Sequence, residues 1–89
     1  MLKTETTNKF EKDLWRAQRR GKDLRKLEKV VNIITLRQSL PENLRNHKLI
    51  GNLQNHYECH LEPDWLLIYR IINDEILRLE RTGTHADLF

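Results

Sequence analysis

The chain has 89 residues, which suffices for one hydrophobic core but not for two, because a chain of this length buries only about 60% of the surface that its unfolded form exposes. Apolar residues make up 38% of the chain and charged residues 33%, with three glycines and two prolines. This composition excludes a disordered or collagen-like protein. We therefore expect a single domain over residues 1–89.

The sequence predicts neither membrane insertion nor secretion. The longest unbroken apolar run, residues 65–69, is five residues long, against roughly 20 for a membrane span. The N-terminal segment has no apolar signal core. The single cysteine, Cys59, excludes an intramolecular disulfide and a cysteine-based zinc site, as is typical of a reducing compartment. We expect a soluble, cytoplasmic protein.

Charge is unevenly distributed along the chain. Residues 1–48 hold 13 Lys and Arg against 6 Asp and Glu, a net charge of +7, whereas residues 49–89 hold 3 against 7, a net charge of −4. The basic half suits a polyanion, because each cation that neutralises a phosphate releases a counterion. Nucleic acid is the first candidate partner, and an acidic protein is the second. A solvated helical face with internal ion pairs has the same composition.

The first half of the chain predicts a short strand followed by two helices. Residues 2–6 are compatible with an extended strand. Asn8, followed three positions later by Glu11, has the pattern of a capping box, so a helix begins near residue 8. Apolar residues recur on one face of this helix until Gly21, and a second periodic run ends before Ser39-Leu40-Pro41. Two helices separated by one glycine predict an antiparallel hairpin.

The second half predicts a loop followed by a three-stranded antiparallel meander. Residues 41–56 show no period and form the loop. Alternating or continuously apolar segments predict the strands 57–61, 65–72 and 75–81. Asn73-Asp74 tolerates positive φ and predicts a two-residue hairpin turn. The tail after residue 82 forms a closing turn that Thr84 caps.

These elements predict a small α+β domain with both helices on one face of a mostly antiparallel sheet. The other face of the sheet is left free. A functional site would have to be built on that free face.

Three histidines lie outside the predicted core, in the loop, on the outward parity of a strand and in the tail: His47, His60 and His85. Asp64 and Arg81 complete a set of five side chains that carry acid–base or anion-binding chemistry. An RNA phosphodiester is cleaved without metal when a base takes the 2′-hydroxyl proton, a cation stabilises the phosphorane and an acid protonates the 5′-oxygen. Histidine titrates near neutrality, and arginine binds two phosphate oxygens at once. The residue types suit this chemistry, but their spacing does not establish that they converge.

Each of these residues also has a simpler structural explanation. An exposed histidine is commonly an ordinary surface residue. Asp64 follows a proline and suits a turn, while Arg81 shares the parity of Leu79 and suits a salt bridge at a strand end. A zinc site is disfavoured, because no two of His47, His60 and His85 have the His-x-His or His-x₃-His spacing of metal ligands.

The remaining aromatic and thiol side chains divide between packing and binding. Trp65 is most simply a core aromatic, whereas Phe89 has no obvious core position and can stack on a nucleobase. Cys59 lies on the apolar parity of its strand, which favours packing over nucleophilic chemistry.

Three segments together resemble YafQ-type toxins: His-Lys-Leu-Ile-Gly at 47–51, Tyr-Glu-Cys-His-Leu-Glu-Pro-Asp-Trp-Leu-Leu-Ile-Tyr at 57–69, and Leu-Glu-Arg-Thr-Gly-Thr-His-Ala-Asp-Leu-Phe at 79–89. These toxins belong to the RelE/ParE superfamily of bacterial type II toxin–antitoxin systems. The resemblance covers nearly the whole chain and implies a RelE-like fold. It also implies an active site made of His47, His60, Asp64, Arg81, His85 and Phe89.

The function implied by the resemblance is a ribosome-dependent endoribonuclease that cuts translated mRNA in the A site without a metal or other cofactor. His85 would be the principal proton-transfer residue, as general acid, with Asp64 or His60 as base. Arg81 would hold the scissile phosphate with support from His47. The products would be a 2′,3′-cyclic phosphate and a 5′-hydroxyl.

The resemblance also implies contacts beyond the reacting atoms. Phe89 and Trp65 form the predicted substrate-binding set, in which Phe89 would orient a nucleotide. Basic side chains of the two helices would contact ribosomal RNA phosphates. These side chains are Lys9, Lys12, Arg16, Arg19, Arg20, Lys22, Arg25, Lys26 and Lys29.

The implied partners are the 70S ribosome with its mRNA and a cognate DinJ-like or RelB-like antitoxin. Operator DNA would be contacted only through the antitoxin, and no membrane is involved. Two alternatives stay open: a ParE-like contact inhibitor of DNA gyrase and a non-catalytic RNA-binding module. The sequence leaves the codon preference and the identity of the antitoxin open.

Overall fold

The computed structural model describes residues 1–51 and 53–89 in full and the backbone alone at residue 52. The helices are α1 (Asn8–Arg19), α2 (Leu24–Thr35) and the short α3 (His85–Leu88). The strands are β1 (Lys3–Thr6), β2 (His47–Lys48), β3 (Tyr57–Glu62), β4 (Trp65–Ile72) and β5 (Ile76–Gly83). None of the described helices is long and apolar enough to cross a membrane.

The five strands form one sheet in the order β1-β5-β4-β3-β2. β1 pairs parallel to β5, and the three other pairings are antiparallel. The predicted meander of β3, β4 and β5 is confirmed. The loop predicted over residues 41–56 contains more structure than expected, namely two single-turn 3₁₀ helices at Glu42–Leu44 and Gly51–Leu53 and the two-residue β2.

Local sequence signals set the ends of the helices. Thr7 caps α1, because its side chain accepts a hydrogen bond from the N–H of Phe10 at 3.0 Å. The predicted cap, Asn8, is therefore wrong by one position, and Asn8 is the first helical residue. Gly21, at φ +79°, follows the end of α1 as predicted. Asp23 caps α2 through the N–H of Arg25.

Both helices pack on one face of the sheet. Phe10 and Ala17 of α1, and Leu27 and Ile34 of α2, belong to a single core cluster with the inward-facing residues of the sheet. Cys59 is fully buried in this cluster, and burial raises the pKa of its thiol to about 12. The expectation that Cys59 packs rather than reacts is confirmed.

Trp65 also lies in the core, which corrects its place in the substrate-binding set. It is only 1% exposed, and its indole N–H donates to the hydroxyl of Thr82 at 2.9 Å. The Thr82 hydroxyl donates in turn to the carbonyl of Leu66 at 2.7 Å. A side chain enclosed in this way cannot stack on a nucleotide, so the contribution of Trp65 is to the packing beneath the site.

The turn between β4 and β5 has Asn73 and Asp74 at the predicted positive φ, +52° and +57°. Because Ile72 lies opposite Ile76, the connection has three residues, 73–75, rather than the predicted two. Farther along, the register shifts, so that Leu79 lies opposite Tyr69 while Arg81 lies opposite Ile68. Glu80 is the extra residue of this bulge. In a regular strand, Arg81 would lie on the same face as Leu79, toward the helices. The bulge places Arg81 on the opposite face of the sheet.

That second face is less open than predicted. Leu66 and Ile68, which alternate with the core residues of β4, are 0% and 2% exposed. They form the floor of the face, and polar residues of the neighbouring strands surround them.

A cluster of ionic contacts ties α3 to the rest of the molecule. The carboxylate of Asp87 accepts from Arg20 at 2.7 Å and lies 3.2 Å from Arg16 of α1. It also completes a capping box with Thr84. A Cβ at Gly83, whose φ is +158°, would lie only 2.8 Å from an oxygen of Asp87, so this close packing requires glycine.

The contacts of Asp87 predict a pH-dependent stability difference. The Arg20 guanidinium, followed by the Thr84 N–H, holds the pKa of Asp87 well below its usual range. A depressed carboxyl pKa stabilises the folded state above the unfolded pKa, and this stabilisation is lost as pH falls through the folded value. We expect Asp87→Asn to lower the free energy of unfolding by about 1 to 2 kcal/mol at pH 7, measured by urea denaturation.

The difference between wild type and Asp87→Asn should shrink as pH falls below about 4, because Asp87 of the unfolded chain then begins to bind a proton while the folded carboxylate stays ionised. Asp74→Asn is the matched control, since Asp74 forms an exposed ion pair with Arg37 and should change stability by less than about 0.5 kcal/mol. A destabilisation by Asp87→Asn that stays constant down to pH 2.5 would contradict an ionic origin.

Candidate active site

The strand register lines up functional side chains across four neighbouring strands. His47 of β2 lies opposite Glu58 of β3, Glu58 lies opposite Ile68 of β4, and Ile68 lies opposite Arg81 of β5. Residues directly opposite one another share a face of the sheet. The predicted site residues His47 and Arg81 are therefore on one face, at the two ends of a single cross-strand row.

A second row, one pleat farther along, brings in the other two histidines. His60 lies opposite Leu66, which lies opposite Gly83, and α3 begins with His85 two residues later. The ring centroids of His60 and His85 are 5.8 Å apart, and those of His47 and His60 are 6.5 Å apart. Three histidines from separate parts of the chain thus form a continuous cluster, with His60 in the centre.

Asp64 orients His85 at the exposed end of the cluster. Asp64 lies in the tight turn between β3 and β4, and its Oδ1 accepts from both the backbone N–H and the ring Nδ1 of His85, at 2.9 and 2.7 Å. These bonds lower the pKa of Asp64, so it is ionised at neutral pH and can only accept. Nδ1 of His85 must then carry a proton, and Nε2 is left to face a substrate.

Glu58 is a site residue that the sequence analysis missed. Its carboxylate is 8% exposed and lies 3.5 Å from Nε2 of both His47 and His60. His47 is held from its other side, since its Nδ1 donates to the carbonyl of Arg45 at 2.6 Å. Glu58 and His60 are two positions apart on a strand of alternating polarity, so both side chains lie on the outward face. This spacing is the sequence signal that could have identified Glu58.

Arg81 is held by a carboxylate from α1. Its Nε and Nη2 donate to Asp13 at 2.6 and 3.1 Å, and its side chain is 28% exposed. The predicted cation therefore does lie on the face that carries the histidines, but part of its hydrogen-bonding capacity is already used. Asp13 is a second residue that the sequence analysis did not identify.

The remaining predicted contact residues differ in exposure. Phe89, at the end of α3, is 65% exposed and makes no part of the core, so it is available to stack. A groove of about 400 Å³ opens beside His60, between the 42–44 turn and the β3–β4 turn, and Arg45 and Glu62 are among its lining residues. His56 is separate from the cluster, since its Nε2 lies 3.2 Å from Glu80.

The nine predicted RNA-binding cations fall into two groups. Five have a carboxylate within 4.0 Å: Arg16, Arg20, Lys22, Arg25 and Lys26. Within the described part of the chain, the other four have no carboxylate partner: Lys9, Lys12, Arg19 and Lys29. All four of these are exposed. Among residues 1–51 and 53–89, no group of three or more His, Cys, Asp or Glu side chains is placed to hold a metal ion.

The sequence and the fold both match known proteins over nearly their whole length. The family model described as "Bacterial toxin of type II toxin-antitoxin system, YafQ" matches residues 2–89. The mRNA interferase toxin YafQ of Escherichia coli strain K12 is 42% identical over 88 residues, which covers 96% of this chain and 92% of the relative.

Two solved structures extend this similarity to the fold. A metal-bound toxin from Helicobacter pylori is 44% identical, with a TM-score of 0.94 and full coverage of both chains. A chain of the E. coli DinJ-YafQ toxin–antitoxin complex is 39% identical, with a TM-score of 0.90 over 99% of this chain and 97% of that one. The predicted RelE-like α+β fold is confirmed by these similarities. With the family match spanning residues 2–89, this chain belongs to the YafQ family of bacterial type II toxins.

Proposed function

We propose that this toxin is a ribosome-dependent endoribonuclease that cuts translated mRNA in the A site by acid–base catalysis and so stops protein synthesis. The observation that carries the proposal is the cluster of three histidines, with ring centroids 5.8 and 6.5 Å apart, supported by Asp64 and Glu58. Two imidazoles at this separation can serve opposite sides of one phosphate as base and acid. The name mRNA interferase carried by the E. coli relative supports the same substrate.

His85 acts as the general acid in this proposal. Its Nε2 is the free ring nitrogen, because Nδ1 donates to Asp64. In the imidazolium form, Nε2–H can donate a proton to the departing 5′-oxygen. Asp64 both orients the ring and stabilises its positive charge, which is the role a carboxylate plays beside a catalytic histidine.

His60 is the general base in this proposal, rather than Asp64. The two hydrogen bonds from His85 lower the pKa of Asp64, and a carboxylate with a lowered pKa is a weak base. His60 lies between the other two histidines and has Glu58 at 3.5 Å to support it when it takes a proton. His47, on the other side of Glu58, assists in binding the phosphate.

The proposed cleavage requires only the RNA and the two histidines, one of which takes a proton while the other gives one. The 2′-hydroxyl loses its proton to His60, and its oxygen forms a bond to phosphorus. The bond from phosphorus to the 5′-oxygen breaks, and that oxygen takes the proton of His85. Arg81 stabilises the added negative charge of the phosphorane. The products are a 2′,3′-cyclic phosphate and a 5′-hydroxyl, and Phe89 stacks on a neighbouring base to align the strand.

The chain is inhibited by a DinJ-like or RelB-like antitoxin in this proposal. The solved DinJ-YafQ complex supports this, since its toxin chain has the same fold as this one. An inhibitor is needed, because the cluster is complete and partly exposed in the free chain: the His85 side chain is 53% exposed. Contact with operator DNA belongs to the antitoxin.

Substitution of His85 by Gln tests the catalytic proposal. We expect His85→Gln to slow mRNA cleavage at least about 100-fold, because a general acid contributes a factor of about 10² to 10⁴. The measurement is primer extension on an mRNA incubated with the toxin, with and without translating ribosomes. Wild type should cut within the reading frame only when ribosomes are present.

His56→Gln is the matched control and should cleave like wild type, since His56 contacts Glu80 and lies outside the cluster. Toxin treated with EDTA and returned to magnesium buffer should also keep its rate. Cleavage by His85→Gln at the wild-type rate would contradict the assignment of the acid. If wild type cuts no mRNA under any condition, a gyrase inhibitor or an RNA-binding module becomes the better explanation.

The unpaired cations of α1 predict the salt dependence of ribosome binding. Lys12 and Arg19 are exposed and have no carboxylate partner among the described residues, so they are available to RNA phosphates. We expect Lys12→Gln with Arg19→Gln to weaken ribosome binding and to lower the slope of log K against log salt by about 2, one for each phosphate contact. Filter binding over a range of KCl concentrations measures this slope.

Lys3→Gln is the control for the loss of a charge, because Lys3 is an exposed lysine on β1 and belongs to neither helix. It should leave the slope within about 0.3 of wild type, because it removes no phosphate contact. Equal slopes for wild type and the double variant would remove α1 from the ribosome-binding surface.

A further inference from the structure

Asp13 is a carboxylate buried in the middle of α1. Its side chain is only 2% exposed, although aspartate is almost never buried unless it is paired. Three hydrogen bonds compensate for its burial: from Nε of Arg81 at 2.6 Å, from Nη2 of Arg81 at 3.1 Å and from the backbone N–H of Thr82 at 3.2 Å. Asp13 therefore binds two successive residues of β5.

The position of Asp13 follows from the end of β1. β1 pairs with β5 only as far as the pair Thr6 and Leu79, and beyond it Thr7 contacts the backbone carbonyl of Glu80. Thr82 therefore has no strand partner on this side. Asp13 accepts the N–H that a longer β1 would have bound, and the same carboxylate reaches the guanidinium of Arg81.

Only part of the Arg81 guanidinium is occupied by this contact. A guanidinium has five N–H donors, and Asp13 accepts from two of them, on the Nε and Nη2 side. Three donors remain, on Nη1 and on the outer side of Nη2. They lie together at the far end of the planar group, which suits bidentate binding of two phosphate oxygens.

We propose that Asp13 is a positioning residue for cleavage, which fixes the Arg81 guanidinium so that its three remaining donors face the scissile phosphate. This inference rests on the proposed nuclease function. Without Asp13, the arginine keeps its charge but loses its orientation. Asp13 would then affect the chemical step, where the phosphorane needs donors in fixed places, more than the binding of the ribosome.

Ion pairs connect this contact to the helix that carries His85. Arg16 lies 3.7 Å from Asp13 and 3.2 Å from Asp87 of α3. Asp13 and Asp87 thus share one arginine, and each holds an element that carries a reacting group. Through α1, these ion pairs fix the position of Arg81, the proposed phosphate-binding residue, relative to that of His85, the proposed proton donor.

A double-mutant cycle tests this inference. The variants are Asp13→Asn, Arg81→Ala and the two combined, each assayed for single-turnover cleavage of mRNA on programmed ribosomes at saturating toxin. Asparagine keeps the shape of the side chain and an oxygen for the Thr82 N–H. We expect Asp13→Asn to lower the saturated rate constant about 10-fold while the apparent Kd for ribosomes changes less than about 2-fold.

The decisive comparison is between Arg81→Ala and the double variant. If Asp13 acts through Arg81, adding Asp13→Asn to Arg81→Ala should produce no further loss of rate. If the rate loss of the double variant equals the product of the two single losses, Asp13 affects the rate independently of Arg81. If Asp13→Asn cleaves at the wild-type rate, the positioning role is excluded. With either result the wild type still cleaves, so the nuclease proposal stands. A wild type without cleavage overturns both.

A measurement on the wild-type chain covers the case in which Asp13→Asn does not fold, as judged by thermal melting. The Nε–H of Arg81 should give an NMR signal in slow exchange with water, because a buried carboxylate holds it at 2.6 Å. A signal that exchanges as fast as that of Arg19, which is exposed and has no carboxylate partner among the described residues, would contradict a fixed guanidinium.

Discussion

Glu80, the extra residue in β5, decides which face of the sheet carries Arg81. With the register shift, Leu77 and Leu79 still pack beneath the helices, while Arg81 lies opposite Ile68 on the face that holds the histidines. A regular strand would have buried the guanidinium in the apolar core, at a high cost in desolvation. The bulge thus allows one short strand to supply both core residues and the cation that we propose binds the phosphate.

The candidate site depends on two histidine–carboxylate pairs in different environments. Asp64 and His85 are more than half exposed and lie where a substrate can enter, whereas Glu58 is nearly buried beside His60. The carboxylates keep the rings in place in the free chain, so the proposed reaction would not have to order them. Their supports differ too, since Asp64 is in a turn and Glu58 is in a central part of the sheet.

Electrostatic contacts inside the molecule explain why the basic half of the chain is not simply an RNA-binding surface. Five of the nine helical cations are paired with carboxylates, and two of these, Arg16 and Arg20, hold Asp87 and with it α3. Cations of the two helices therefore differ in their surroundings: Arg16 and Arg20 hold the helix that carries His85, while those without a carboxylate partner among the described residues are the ones that we propose contact RNA. Asp13 likewise joins α1 to β5 through Arg81.

Much of the fold could be predicted from the sequence, because helix periodicity, strand alternation and the Asn73-Asp74 turn are local signals that tertiary packing then reinforced. The residue types of the candidate site were also identified from their chemistry and from the family resemblance, and the structure brings His47, His60, Asp64 and His85 together. Only the tertiary structure decided that Glu58 lies between two histidines and that Asp13 holds Arg81. These facts depend on strand register, on a one-residue bulge and on contacts between residues as many as 68 positions apart, none of which leaves a local pattern in the chain.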